Sequence, residues 1–77
     1  MRETRIDVTA YSGYRGEESP RYFFIENEKI EVLEILGMWI EEEAGGETMR
    51  FFRIRATDGY VCELFYREKA MEWFLAG

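Results

Sequence analysis

Histidine and glutamine are absent from this 77-residue chain, which has one cysteine, one proline and one asparagine. Without histidine there can be no Ser–His or Cys–His pair, so the usual routes to an activated nucleophile are closed. With one thiol, Cys62, no intramolecular disulfide can form, which excludes a secreted mini-protein stapled by cystines. Zinc lacks both a histidine and a second cysteine as ligands. No apolar run approaches the ~20 residues that span a bilayer, and the opening MRETRIDVTA has no signal-type apolar segment. The expectation is a cytoplasmic protein with no membrane contact. The scarcity of amides beside abundant Glu and Arg is a thermophile-like bias.

What the chain does have is aromatic rings: two Trp, five Tyr and six Phe, within 47% hydrophobic residues. That is too apolar for a disordered segment and enough for a single domain over residues 1–77. At this length only about 60–65% of the unfolded surface is buried, so each large ring matters. Sixteen acids against ten bases give a net charge of −6. A field of that sign disfavours duplex nucleic acid and anionic membranes. The charge is uneven: acids gather at Glu17–Glu18, Glu26 to Glu34 and Glu41 to Glu47, bases at Arg50, Arg53 and Arg55, with Arg15 and Arg21 earlier.

Residues 4–11 alternate, with Ile6, Val8 and Ala10 on one face, which is the pattern of a half-buried strand. Residues 12–20 hold two glycines and the only proline and read as a loop. Residues 21–26 form an aromatic-rich strand, followed by a turn at Asn27–Glu28. Residues 29–43 fit a helix poorly, because Ile35, Met38 and Trp39 spread around the cylinder. As a strand, the segment changes face between Val32 and Leu33, which predicts a bulge, and Gly37 suits a second bend.

Gly45–Gly46 closes this element. Residues 48–56 put Phe52, Ile54 and Ala56 on one face and Phe51, Arg53 and Arg55 on the other. Thr57-Asp58-Gly59 is a hairpin signal. Residues 60–67 alternate again, and residues 70–75 are a last strand or one helical turn. Five or six strands with turns every eight to twelve residues predict an all-β fold, a small antiparallel SH3-like barrel or a strongly curved sheet. The alternative is α+β, with residues 30–43 as a helix.

Three stretches, AYSGYRGEESPRYFFI from Ala10, IEVLEILGMW from Ile30 and FFRIRATDGYVCELFYREKAMEWFL from Phe51, carry a resemblance. Together they resemble a family of small prokaryotic proteins of unknown function, over nearly the whole chain. The shared pattern is the Ala-Tyr-Ser-Gly-Tyr opening, the Ile-x-Val-x-x-Ile-Leu-x-x-Trp strand, the Asp-Gly hairpin and a closing Trp-x-Leu. A fainter likeness is to small β domains found beside DNA-repair polymerases. The resemblance implies no activity, substrate or cofactor, and no catalytic residue is carried over.

The residues themselves point to no catalytic, cofactor-binding or metal site. Cys62 lies in mid-strand beside Leu64, where burial suppresses reactivity. Consecutive glutamates on a strand alternate faces and do not converge on a cation. Two groups suit recognition. One is the first loop with Tyr14, Arg15 and Arg21, since Tyr and Arg are enriched in binding hot spots. The other is the sheet face with Phe51, Arg53, Arg55 and Phe65, unless Trp39 or the C-terminal segment covers it as a second core. The expectation is a small non-enzymatic interaction module whose partner is a protein or a second copy. The alternative is a single-stranded nucleic-acid binder using the Arg and aromatic face, which the net charge disfavours.

Overall fold

The computed structural model describes residues 3–12 and 18–76, apart from the side chains of 3, 10–12 and 18. These residues form six strands: β1 (Glu3–Ser12), β2 (Glu18–Ile25), β3 (Glu28–Glu42), β4 (Thr48–Ala56), β5 (Val61–Arg67) and β6 (Glu72–Ala76). Each pairs antiparallel with the next, and β6 returns to β1, closing a meander barrel. Closure removes most of the edges that aromatic-rich strands would otherwise present to other chains. The fold is therefore an all-β small barrel, and the α+β alternative is wrong.

Residues 30–43 lie within β3, a 15-residue strand. A helix would have required one apolar stripe; here the apolar positions alternate and change phase twice. The phase changes are two irregularities in the ladder with β4, between Val32 and Glu34 and between Ile35 and Gly37. Leu33 and Leu36 are the extra residues, and each shifts the following side chains to the opposite face. The second bend thus belongs to Leu36 and not to Gly37 itself, where an added Cβ would meet nothing within 4 Å.

The turns follow local chemistry. Ile25 pairs with Glu28, leaving Glu26 and Asn27 as a two-residue loop with φ of 49° and 66°. Two successive positive φ values are those of a type I′ turn, whose twist matches the flanking strands. The turn lies one residue earlier than the expected Asn27–Glu28. At residues 56–59 the Gly59 amide donates to the Ala56 carbonyl at 2.9 Å, and Gly59 takes φ 93°. The Asp58 carboxylate accepts from the Tyr60 amide at 2.9 Å, which fixes the predicted Asp-Gly hairpin. β2 starts at Glu18, inside the stretch expected to be loop. Pro20 is tolerated there because the β1 ladder is irregular beside it, between Thr9 and Ala10.

The interior is filled by alternate residues of every strand. Ile6, Phe23, Phe52, Ile54, Ala56, Leu64 and Trp73 are buried, with Val8, Ile25, Ile30, Val32, Cys62, Tyr66 and Leu75 packed around them. The cross-strand register places like with like: Val8 opposite Phe23, Phe52 opposite Leu64, Leu64 opposite Leu75. Full burial of one such side chain stabilises the fold by about 1.5–3 kcal/mol.

Candidate docking surface

The outer face of the β3–β6 wall carries a row of stacked rings. Trp39, Phe51, Phe65 and Phe74 stand directly opposite one another on four successive strands. Their centroids are 5.4, 4.9 and 5.2 Å apart, with planes 8°, 24° and 17° from parallel. Cross-strand aromatic pairs of this kind are each worth about 0.5–1.5 kcal/mol beyond their area. The Arg67 guanidinium lies over both Phe65 and Phe74, at 5.4 and 5.5 Å. Phe65 is consequently 1% exposed. The expectation that Phe65 faces a partner fails for this reason: its faces are taken by Phe51 and Phe74. The sheet face is a second core, covered from one side by Trp39 and from the other by the C-terminal strand.

The basic residues of this region are held by carboxylates. Arg55 pairs with Glu34, Arg50 reaches Glu68 at 3.9 Å, and Arg67 binds Glu47 at 3.1 Å and Glu43 at 3.7 Å. Arg53 is exposed, opposite Gly37 on one side and Glu63 on the other. Arg50 has the opposite parity and lies on the inner side of the ladder, between Ile40 and Tyr66. Phe51 is half-buried within the ring row, and Arg21 is exposed on β2, remote in the ladder from Phe51 and Arg53. Tyr14 and Arg15 lie outside the described residues. The structure thus leaves Arg53 and Arg21 on the surface, draws Phe51 and Phe65 into packing, and engages Arg55.

A different surface stands out. Leu33, Ile35, Leu36, Met38 and Ile40 are all between 42% and 61% exposed, and all lie on β3. By register, Ile35, Met38 and Ile40 point to the inner side, opposite Ile54, Phe52 and Arg50. They remain open because β2 pairs with β3 only as far as Tyr22 and Glu31. Beyond that point, among the described residues, β3 is paired with β4 alone. Where β2 and β3 part there is a cleft of about 780 Å³, with Thr9, Pro20 and Arg21 on one side and Leu33 and Ile35 on the other. The signal for this surface was present in the sequence. Of the nine residues from Val32 to Ile40, all but Glu34 and Gly37 are apolar, and these seven exceed what one face of a strand can bury.

Cys62 is partly buried against the core, and its thiol pKa is raised, chiefly by burial and further by the negative charges of Asp58 and Glu63. Among the described residues no group of three carboxylates or thiols is arranged to hold a metal ion. No helix in the same residues is long and apolar enough to cross a membrane. The chain matches no family model, no curated protein and no solved structure.

Proposed function

We propose that this chain is a small, non-enzymatic interaction module that docks a protein partner through β3. The observation that carries the reading is the ridge of Leu33, Ile35, Leu36, Met38 and Ile40 on a strand that, beyond Glu31, pairs among the described residues with β4 alone. From their fractional exposures these side chains present on the order of 500 Å² of apolar surface, near the upper end of the 300–600 Å² typical of the largest patch on a monomer. That is more than half of the ~800 Å² that each partner buries in a standard protein interface. Part of the proposal is a cytoplasmic setting, where the Cys62 thiol stays reduced.

The single-stranded nucleic-acid reading is less well supported. Base stacking needs open ring faces, whereas Phe51 and Phe65 spend theirs on each other. Phosphate binding needs available cations, whereas Arg50, Arg55 and Arg67 are paired with glutamates.

The test is site-specific photo-crosslinking in cells. A photo-reactive residue at Met38 should capture a protein, while one at Met71, on the β5–β6 turn and more exposed at 76%, should not. Equal yields at the two positions would overturn the assignment to β3. Capture of nucleic acid at Met38 would favour the rival.

A further inference from the structure

The stretch of β3 beyond its second bulge differs from the rest of the strand. From Gly37 to Glu42 every residue pairs in unbroken register with β4, Gly37 with Arg53 through Glu42 with Thr48. The stretch is free of bulges, and its far edge carries no ladder among the described residues. In an antiparallel strand alternate N–H and C=O groups point to each side, so this edge presents an open row of donors and acceptors.

The side chains along the edge specify what can lie beside it. On the inner side Met38 and Ile40 are 61% and 60% exposed. On the outer side stand Trp39 and Glu41, joined by a hydrogen bond from the indole Nε1 to Glu41 Oε2 at 2.9 Å. One face of the indole is stacked on Phe51, nearly parallel at 8°. The other face is therefore turned away from β4, toward the open edge. An indole face next to a carboxylate is a cation site, combining ring and charge attraction. Between Ile30 and Met49 the chain has six glutamates and no lysine or arginine. Glu31, Glu34, Glu43 and Glu47 have cationic partners. Among the described residues Glu41 has no cationic partner, its carboxylate accepting from the Trp39 indole instead.

Resting on the docking reading above, we propose that the occupant is an extended segment of another protein that adds as a strand to the 37–42 edge of β3. Its side chains alternate between aliphatic, against Met38 and Ile40, and Lys or Arg, against Trp39 and Glu41. This is strand addition, in which backbone bonds supply affinity and alternate side chains supply specificity. A second copy fits less well. Antiparallel pairing of β3 with itself about Met38, with Leu36 left out of register as it is against β4, sets Glu34 of each copy against Glu41 of the other, and like charges directly opposite are destabilising. The bulges at Leu33 and Leu36 also limit self-pairing along the remaining edge.

The experiment uses the full chain and three synthetic octapeptides: alternating Val and Lys, alternating Val and Glu, and the Lys peptide N-methylated at alternate residues. Amide hydrogen exchange and shift perturbation are read in each titration. The Val/Lys peptide should protect amides within residues 37–42 and perturb the Trp39 indole. Its affinity should fall about three- to tenfold in Glu41→Gln and on raising salt. The Glu peptide and the N-methylated peptide should leave residues 37–42 unprotected. Absence of protection with the Lys peptide at millimolar concentration overturns strand addition, as does equal protection by the Glu peptide. If crosslinking at Met38 still captures a protein, the docking reading survives that failure. A dimer in sedimentation that Met38→Lys converts to a monomer would assign the edge to a second copy and overturn the proposed partner.

Discussion

The indole of Trp39 lies almost flat against the ring of Phe51, with centroids 5.4 Å apart and planes 8° from parallel. This contact ties the strand with the open edge to the wall of the barrel, and it continues through Phe65 to Phe74. The surface that a partner would use is therefore braced from behind by a packed row of rings, so the edge is held in shape before anything binds.

The bracing is measurable as a coupling energy. In a double-mutant cycle, Trp39→Leu and Phe51→Leu should interact by about 0.5–1.5 kcal/mol in chemical denaturation. Additivity within ~0.3 kcal/mol would mean that the rings touch without stabilising each other.

Two apolar side chains with the same look in the sequence should behave oppositely. Phe65→Ala, at a position 1% exposed, should cost about 3–5 kcal/mol. Met38→Lys, at a position 61% exposed, should change stability by no more than about 0.5 kcal/mol while abolishing docking. Urea unfolding of the two variants checks both statements.

The Glu26–Asn27 turn holds non-glycine residues at φ 49° and 66°. Replacing the pair with Asn-Gly, which adopts this turn without strain, should stabilise the protein by about 1 kcal/mol. A loss of stability in thermal unfolding would show that the Glu26 side chain contributes more than its backbone costs.

Cys62 gives a pH dependence with a definite sign. Burial, then Asp58 and Glu63, raise the thiol pKa in the folded state. As pH rises through the unfolded thiol's pKa, the unfolded chain loses its proton while the native chain keeps it. Stability therefore falls with pH in the alkaline range until the folded pKa is passed, and Cys62→Ala should flatten that part of the profile. Alkylation of the native thiol should be slower than that of the urea-unfolded chain at the same mildly alkaline pH.

Much of the fold was legible because a strand's period of two survives in a chain this short. Ile6 and Val8, Phe52 and Ile54, and Leu64 and Tyr66 could be placed on the inner face from alternation alone, and the phase change after Val32 marked a bulge. The site was less legible. Alternation shows that Phe51 and Phe65 point away from the core, but not that Trp39 and Phe74 come from neighbouring strands to enclose them. That depends on register, which only long-range pairing fixes. Likewise the arginines read as a free basic face until Glu34 and Glu68 are brought across to Arg55 and Arg50. The exposed ridge on β3 was visible as an excess of apolar residues, yet which of them stay open depends on β2 leaving the ladder at Tyr22.

The account depends most on β3 having an open edge, and site-resolved amide exchange of the free protein tests this directly. Along residues 37–42, amides bonded to β4 should exchange at least 100-fold more slowly than the alternate amides facing outward, which should approach the unprotected rate. This pattern should not change with protein concentration. Uniform protection of all the amides would contradict the account, because the edge would then already be covered.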